Sequence, residues 1–150
     1  MIASLLAALL VQTAAPACTA TAAPPAGLEA WSRPIELSGI LGFSVGAATK
    51  IPLSNAALPI APERPAAAGT FSQVLGFRIE KVGTYRVALS AGAWIDVVRD
   101  GKPLTSTAHM EGAACSGIRK IVDFDLAPGT YTLQLSGAKV QEMTVLIAPK

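Results

Sequence analysis

The chain has 150 residues, 51% hydrophobic and 15% charged, and its 12 Lys and Arg against 10 Asp and Glu give a formal net charge of +2. This balance argues against a disordered chain. The charges are interspersed, which argues against nucleic acid or an acidic membrane surface as a partner, because both require a concentrated basic patch. The length fits one domain with one core. The sequence has a single histidine, His109, which limits the metal and acid–base chemistry open to it.

The N-terminal residues predict a signal peptide. Residues 2–11 form an apolar run that is too short to span a bilayer and has the length of a signal-peptide hydrophobic region. Ala15 and Ala17 supply the small residues before a cleavage site, although no Lys or Arg precedes the run. We therefore expect residues 1–17 to be removed, the protein to be periplasmic or secreted, and no transmembrane segment to remain. An uncleaved anchor and lipidation of Cys18 are the alternatives.

The sequence contains two cysteines, Cys18 and Cys115. A pair of cysteines in an exported chain favours a disulfide over two free thiols. Such a bond would close most of the mature chain into a loop and tie its N-terminus to the domain.

Residues 18–34 are rich in Ala, Pro and Thr and predict an extended N-terminal lead-in to a single β-sandwich domain over residues 35–150. Residues 35–53 predict one or two strands. Residues 55–69 contain three prolines and no alternation, so they predict a long surface loop.

From residue 71 onward, short apolar segments alternate with turn signals. The Asp100–Gly101 dipeptide predicts a β-hairpin. No mature segment has a helical period. We expect an all-β fold, an antiparallel β-sandwich or jelly-roll-like architecture with about seven or eight strands and little helix. The strands after the loop are predicted over residues 71–81, 85–89, 94–99, 102–109, 119–126, 131–135 and 141–148.

The tripeptide Gly-Thr-Tyr occurs twice, at residues 83–85 and 129–131. We interpret both copies as the beginning of a strand. In each copy, the glycine permits the preceding turn and the tyrosine lies on the buried face.

Two resemblances support this fold. Residues 82–87 (VGTYRV), 96–101 (DVVRDG) and 126–133 (LAPGTYTL) resemble the pre-peptidase C-terminal type modules, small secreted β-sandwiches found beside exported peptidases. A second resemblance is carried by residues 93–98 (AWIDVV), 106–109 (STAH) and 115–120 (CSGIRK). In these segments the chain is similar to short exported proteins of alphaproteobacteria, especially sphingomonads, some of which carry the label homogentisate 1,2-dioxygenase.

The label implies a metal-dependent dioxygenase, but the sequence does not supply the ligands. Enzymes of that class hold non-haem iron with two histidines and a carboxylate, and this chain has one histidine. We therefore interpret the label as an error propagated among similar proteins, and expect no cofactor.

Residues 109–115 gather the softest metal ligands of the chain, including His109 and Met110. A blue-copper site needs a second histidine and a free thiolate, so we favour a surface loop held by Cys115. Asp96, Asp100, Asp123 and Asp125 are oxygen ligands of the kind that calcium uses, and Asp123 and Asp125, which share a strand face, are weak candidates for a site. No Asp-rich loop with a suitably placed glycine accompanies them, so we favour turn and solvent-face roles.

The residues considered for ligand binding are Trp31, Trp94, His109 and Glu111. The tryptophans could form an aromatic platform for sugar, but core packing is the simpler interpretation. A catalytic triad would need Ser106, Thr107 or Cys115 beside His109, and no motif aligns such a set.

These observations favour a noncatalytic exported module that binds a protein, a glycan or an envelope component. The alternatives are the metal-dependent dioxygenase and a copper-handling protein that uses His109 and Met110.

Overall fold

The computed structural model describes residues 17–39 and 42–150. The predicted signal peptide, residues 1–17, lies outside the described residues except for Ala17. The described part is almost entirely β-structure, with one short 3-10 helix (Glu29–Ser32), so the predicted all-β fold is confirmed. Its strands are β1 (Ile35–Glu36), β2 (Thr49–Pro52), β3 (Phe71–Ile79), β4 (Gly83–Leu89), β5 (Trp94–Arg99), β6 (Lys102–Pro103), β7 (Ala108–Met110), β8 (Lys120–Leu126), β9 (Gly129–Ala138) and β10 (Glu142–Pro149).

The strands form a sandwich of two sheets. The first sheet has the order β1-β2-β10-β4-β8-β7 and the second the order β3-β9-β5-β6. All pairings are antiparallel except that of β1 with β2. Alternate side chains of both sheets fill the core between them, among them Val87, Phe124, Leu133 and Val145. No helix in the described ranges is long and apolar enough to cross a membrane.

The described residues form ten strands where about seven or eight were expected, and the largest difference lies in residues 102–109. The predicted single strand is two short ones, β6 in the second sheet and β7 in the first. β6 ends at Pro103, although one further backbone bond, from the Leu104 N–H to the Val97 carbonyl at 2.8 Å, still joins the chain to β5. Residues 104–107 then cross from one sheet to the other, and we call them the crossing segment.

The predicted hairpin at Asp100–Gly101 is confirmed. β5 and β6 pair antiparallel on either side of it, with Arg99 opposite Lys102. Asp100 and Gly101 have φ values of 52° and 71°. Two successive positive φ values are the geometry of a type I′ turn, which Asp-Gly favours.

Both Gly-Thr-Tyr tyrosines are buried, as predicted, with Tyr85 7% and Tyr131 2% exposed. The Tyr85 hydroxyl donates to the Lys81 carbonyl at 2.8 Å. The Tyr131 hydroxyl donates to the Ala127 carbonyl at 2.7 Å, and it accepts from the Ala127 N–H at 3.1 Å and from Arg99 at 3.0 Å. Each tyrosine therefore anchors the backbone four residues before it, as in the tyrosine corner of sandwich folds.

Residues 18–34, which we call the strap, were predicted to be an extended lead-in, and they pack against the domain. Leu28 and Trp31 are buried against the outer face of the first sheet, in a second apolar cluster that includes Ile121 and Leu146. The predicted disulfide is present: Cys18 and Cys115 are bonded, with their Cα atoms 5.5 Å apart. The disulfide and this cluster together hold the strap on the sheet.

Residues 55–69 form the predicted irregular loop, which we call the cover loop. Gln134, on the outer face of β9, is 1% exposed. Its side chain accepts from the Ile60 N–H at 3.0 Å and donates to the Ile60 carbonyl at 3.3 Å. The cover loop thus shields part of the outer face of the second sheet, as the strap shields the first.

Candidate binding cleft

A cleft with a cavity volume of about 380 Å³ opens at the margin of the sandwich. Strands β5 and β6 of the second sheet, β7 and β8 of the first, the crossing segment and the cover loop all contribute to it. Its apolar lining is formed by Trp94, Ile95, Pro103, Leu104, Val122 and Phe124, and its polar lining by Glu63, Asp96, Thr105, Ser106, His109 and Lys120. This size and mixture of side chains are typical of small-molecule sites.

Asp96 is the most buried charged residue of the cleft, at 3% exposed. In β5, Ile95 and Val97 point into the core, so the alternation of the strand places Trp94 and Asp96 on the opposite face. The Trp94 indole N–H donates to Asp96 Oδ1 at 3.0 Å. Oδ2 has no hydrogen-bond partner in the part of the chain that the structure describes.

Burial raises the pKa of Asp96, while the hydrogen bond from Trp94 and a weaker contact with the Glu63 backbone, which does not have hydrogen-bond geometry, act in the opposite direction. The negative charge of Glu63 raises this pKa further. Among the described residues, no cation forms an ion pair with this carboxylate.

Lys120 lies at the start of β8, and its Nζ donates to the Ala93 carbonyl at 2.9 Å. The same nitrogen is 5.4 Å from the centre of the Trp94 ring, a cation–π contact. Burial lowers the pKa of Lys120, and the positive charge of Arg64 on the cover loop lowers it further. The Trp94 indole therefore contacts both charged groups, with its N–H on Asp96 and its ring near Lys120.

A second cavity, of about 470 Å³, adjoins the cleft and shares His109 and Lys120 with it. Met110, Glu111 and Arg119 also line this cavity. Glu111 and Arg119 are exposed and form an ion pair at 2.6 Å, and the Arg119 hydrogen bond holds the pKa of Glu111 below its usual value.

The structure therefore groups some of the predicted site residues and separates others. Trp94 and His109 line the cleft, and Glu111 lies in the adjoining cavity. Trp31 is 8% exposed and belongs to the cluster beneath the strap, on the outer face of the first sheet.

The two carboxylates that share a strand face, Asp123 and Asp125, lie outside the cleft and have protein partners. Asp123 is fully buried, 3.0 Å from Lys150 Nζ and 3.7 Å from Arg86 Nε. Asp125 accepts a hydrogen bond from Thr84 at 2.6 Å.

The described residues also bring together few side chains that could bind a transition metal. Cys115 is in the disulfide and offers no thiolate. Across residues 17–39 and 42–150, no three His, Cys, Asp or Glu side chains gather as a metal site would require. No contact of His109 or Met110 favours the copper-handling or dioxygenase alternatives.

Lys120 and Glu63 were not among the residues predicted for the site, and Asp96 was considered only as an oxygen ligand for calcium. One signal in the sequence pointed to Asp96, which is the polar residue in the otherwise apolar run 94–98. Comparison with known proteins assigns no family to the chain: no protein-family model, no curated protein and no solved structure matches it.

Proposed function

We propose that this protein is an exported, noncatalytic β-sandwich module that binds a small ligand, or the end of a larger envelope component, in the cleft beside Trp94. One observation carries the proposal. The cleft combines an apolar lining with Asp96, a buried carboxylate whose Oδ2 has no hydrogen-bond partner among the described residues. Buried polar groups are normally hydrogen-bonded, and a group without a partner in a cleft marks a position where a ligand can supply one.

The disulfide supports the exported part of the proposal. Structural disulfides persist in oxidising compartments and are rare in the cytosol. The Cys18–Cys115 bond joins the first residue of the strap to the loop between β7 and β8, and the Ala22 N–H donates to the Cys115 carbonyl at 2.8 Å.

Binding rather than catalysis is supported by the contacts of the polar residues. The Lys120 ammonium donates to a backbone carbonyl, and the Asp96 carboxylate accepts from the Trp94 indole. Neither contact activates a nucleophile, which would need a base in hydrogen-bond contact with a hydroxyl or thiol.

The two tryptophans allow a direct test by nuclear magnetic resonance. Each gives one indole N–H signal, and only the Trp94 indole lies in the cleft, whereas Trp31 packs beneath the strap. The Trp31→Phe and Trp94→Phe variants assign the two signals. Millimolar amino acids, hydroxy acids, sugars and sugar acids are then titrated into the protein.

We expect at least one compound class to shift the Trp94 signal and leave the Trp31 signal in place. Ser106→Trp, which places a bulky side chain in the cleft, should abolish that shift. If no class moves the Trp94 signal, or if Ser106→Trp leaves the shift unchanged, the cleft is not the binding site.

A further inference from the structure

The cleft holds two charged groups of opposite sign that do not neutralise each other. In the described part of the chain, neither Asp96 nor Lys120 has an ion-pair partner within 4.0 Å, although every other buried acidic side chain there has one. Because buried charges are normally paired, this arrangement leaves both groups without their expected counter-charges.

Trp94 contacts both charged groups. Its indole N–H is bonded to Asp96 Oδ1, and its ring lies near Lys120 Nζ. These contacts leave hydrogen-bonding capacity unused on both groups. Asp96 Oδ2 can accept, and an ammonium has three donors, of which the Ala93 carbonyl takes one.

Asp96 and Lys120 each lie near a residue whose charge has the same sign as their own. The carboxylate of Glu63 is close enough to Asp96 to influence its ionisation, and the guanidinium of Arg64 does the same for Lys120. The Asp96 side of the cleft is therefore suited to a cation and the Lys120 side to an anion. Apolar side chains, including Leu104, Val122 and Phe124, line the same cleft.

We propose that the ligand is a free α-amino acid with an apolar side chain, whose ammonium binds Asp96 and whose carboxylate binds Lys120. This inference rests on the proposed function and adds the chemical class of the ligand. A zwitterion supplies both missing counter-charges at once, whereas a sugar or a hydroxy acid supplies at most one. The apolar lining receives the side chain.

Binding also requires a small movement of the cover loop. Asp96 Oδ2 is covered by protein, and Glu63 is the cover-loop residue that lines the cleft beside it. For the ammonium to reach Oδ2, the backbone around Glu63 must shift. The amide signals of this part of the cover loop should therefore move together with the Trp94 indole signal.

The test uses L-leucine and three analogues, each titrated while the Trp94 indole signal is followed. Leucinamide removes the carboxylate charge, 2-hydroxyisocaproate replaces the ammonium by a hydroxyl, and D-glucuronate is a sugar acid. Charge-assisted hydrogen bonds are the stronger ones. We therefore expect leucinamide and 2-hydroxyisocaproate to bind at least about tenfold more weakly than leucine.

Two variants test whether Asp96 and Lys120 bind the charged groups of the ligand. Asp96→Asn and Lys120→Met should each weaken leucine at least about tenfold, and Lys50→Met, which removes an exposed lysine paired with Glu36, should leave it unchanged. Asp96→Asn should still bind both leucine and 2-hydroxyisocaproate, with weakened and similar affinities, whereas an unfolded variant would bind neither.

Each outcome decides between the two proposals. If glucuronate or another compound moves the Trp94 signal and leucine does not, the amino-acid inference is wrong while cleft binding stands. If leucinamide binds as tightly as leucine, Lys120 does not hold a carboxylate and the inference is also wrong. If no compound moves the signal, both proposals fail.

Discussion

Replacement of Tyr131 by phenylalanine tests how much a single buried hydroxyl contributes to the fold. That hydroxyl makes three hydrogen bonds, two with the Ala127 backbone and one with Arg99, all between 2.7 and 3.1 Å. A net contribution of about 0.5 to 1.5 kcal/mol per hydrogen bond, reduced because Ala127 is exposed to water, gives a loss of about 2 kcal/mol. The ring remains, so its stacking on Phe77 is retained.

Tyr85→Phe is the matched control, because it removes a hydroxyl from the equivalent position with one hydrogen bond, to Lys81. We expect a loss of about 1 kcal/mol there. Urea unfolding of the disulfide-bonded protein measures both losses, and 2 kcal/mol corresponds to a midpoint shift of roughly 1 M. Equal shifts for Tyr131→Phe and Tyr85→Phe would refute the reasoning, because the extra contacts of Tyr131 would then contribute nothing.

Three further changes test other parts of the structure. Cys115→Ser removes a disulfide that spans 97 positions and should lower the unfolding free energy by about 4 to 5 kcal/mol in urea, whereas a loss below about 1 kcal/mol would mean that the bond only pins the strap locally. Burial raises the pKa of Asp96 above its ordinary value of 3.8. Protonation of Asp96 therefore stabilises the folded state. This stabilisation is fully present below pH 3.8 and is lost as the pH rises through the raised pKa. The unfolding free energy of Asp96→Asn, relative to that of the wild type, should therefore increase from pH 3.8 to neutrality, and parallel pH profiles would contradict this. Gly112→Ala places a Cβ against the Ile118 carbonyl and should cost about 1 to 3 kcal/mol in thermal unfolding, whereas Gly76→Ala, whose Cβ meets nothing within 4 Å, should not show this steric cost.

Local alternation in the sequence was enough to predict most of the strands. Tyr131, Leu133 and Leu135 face the core, and the intervening residues face away, as the period of two requires. The Asp100–Gly101 turn was equally predictable, because two successive positive φ values strongly favour this dipeptide. These features depend on neighbours in the sequence and therefore need no knowledge of the tertiary fold.

The packing of the strap could not be predicted in the same way. Residues 145–148 are four consecutive apolar residues, a pattern that indicates burial on both faces of a strand. Leu146 and Ala148 indeed face the strap, while Val145 and Ile147 face the core. The sequence thus signals that something covers the first sheet, but it does not identify residues 18–34 as the cover.

The candidate site was the least predictable part, because its charged residues come from different sheets. Asp96 lies on β5 and Lys120 on β8, which belong to separate sheets. Their proximity depends on how the two sheets stack, and no local pattern specifies that. The sequence pointed instead to residues 109–115, whose side-chain types suit metal or ligand binding. In the structure, Cys115 forms the disulfide and Glu111 pairs with Arg119.

The position of the cleft follows from where the chain changes sheets. β6 ends at Pro103, and the last backbone bond from this part of the chain to β5 joins the Leu104 N–H to the Val97 carbonyl, so no described strand pairs with residues 94–96 on that side of β5. The crossing segment then joins β7 and leaves the margin between β5 and β8 open. The strap and the cover loop shield the outer faces of the two sheets, and Glu63 of the cover loop lines this margin. The early departure of the chain from β5 therefore leaves the opening that Asp96 and Lys120 line.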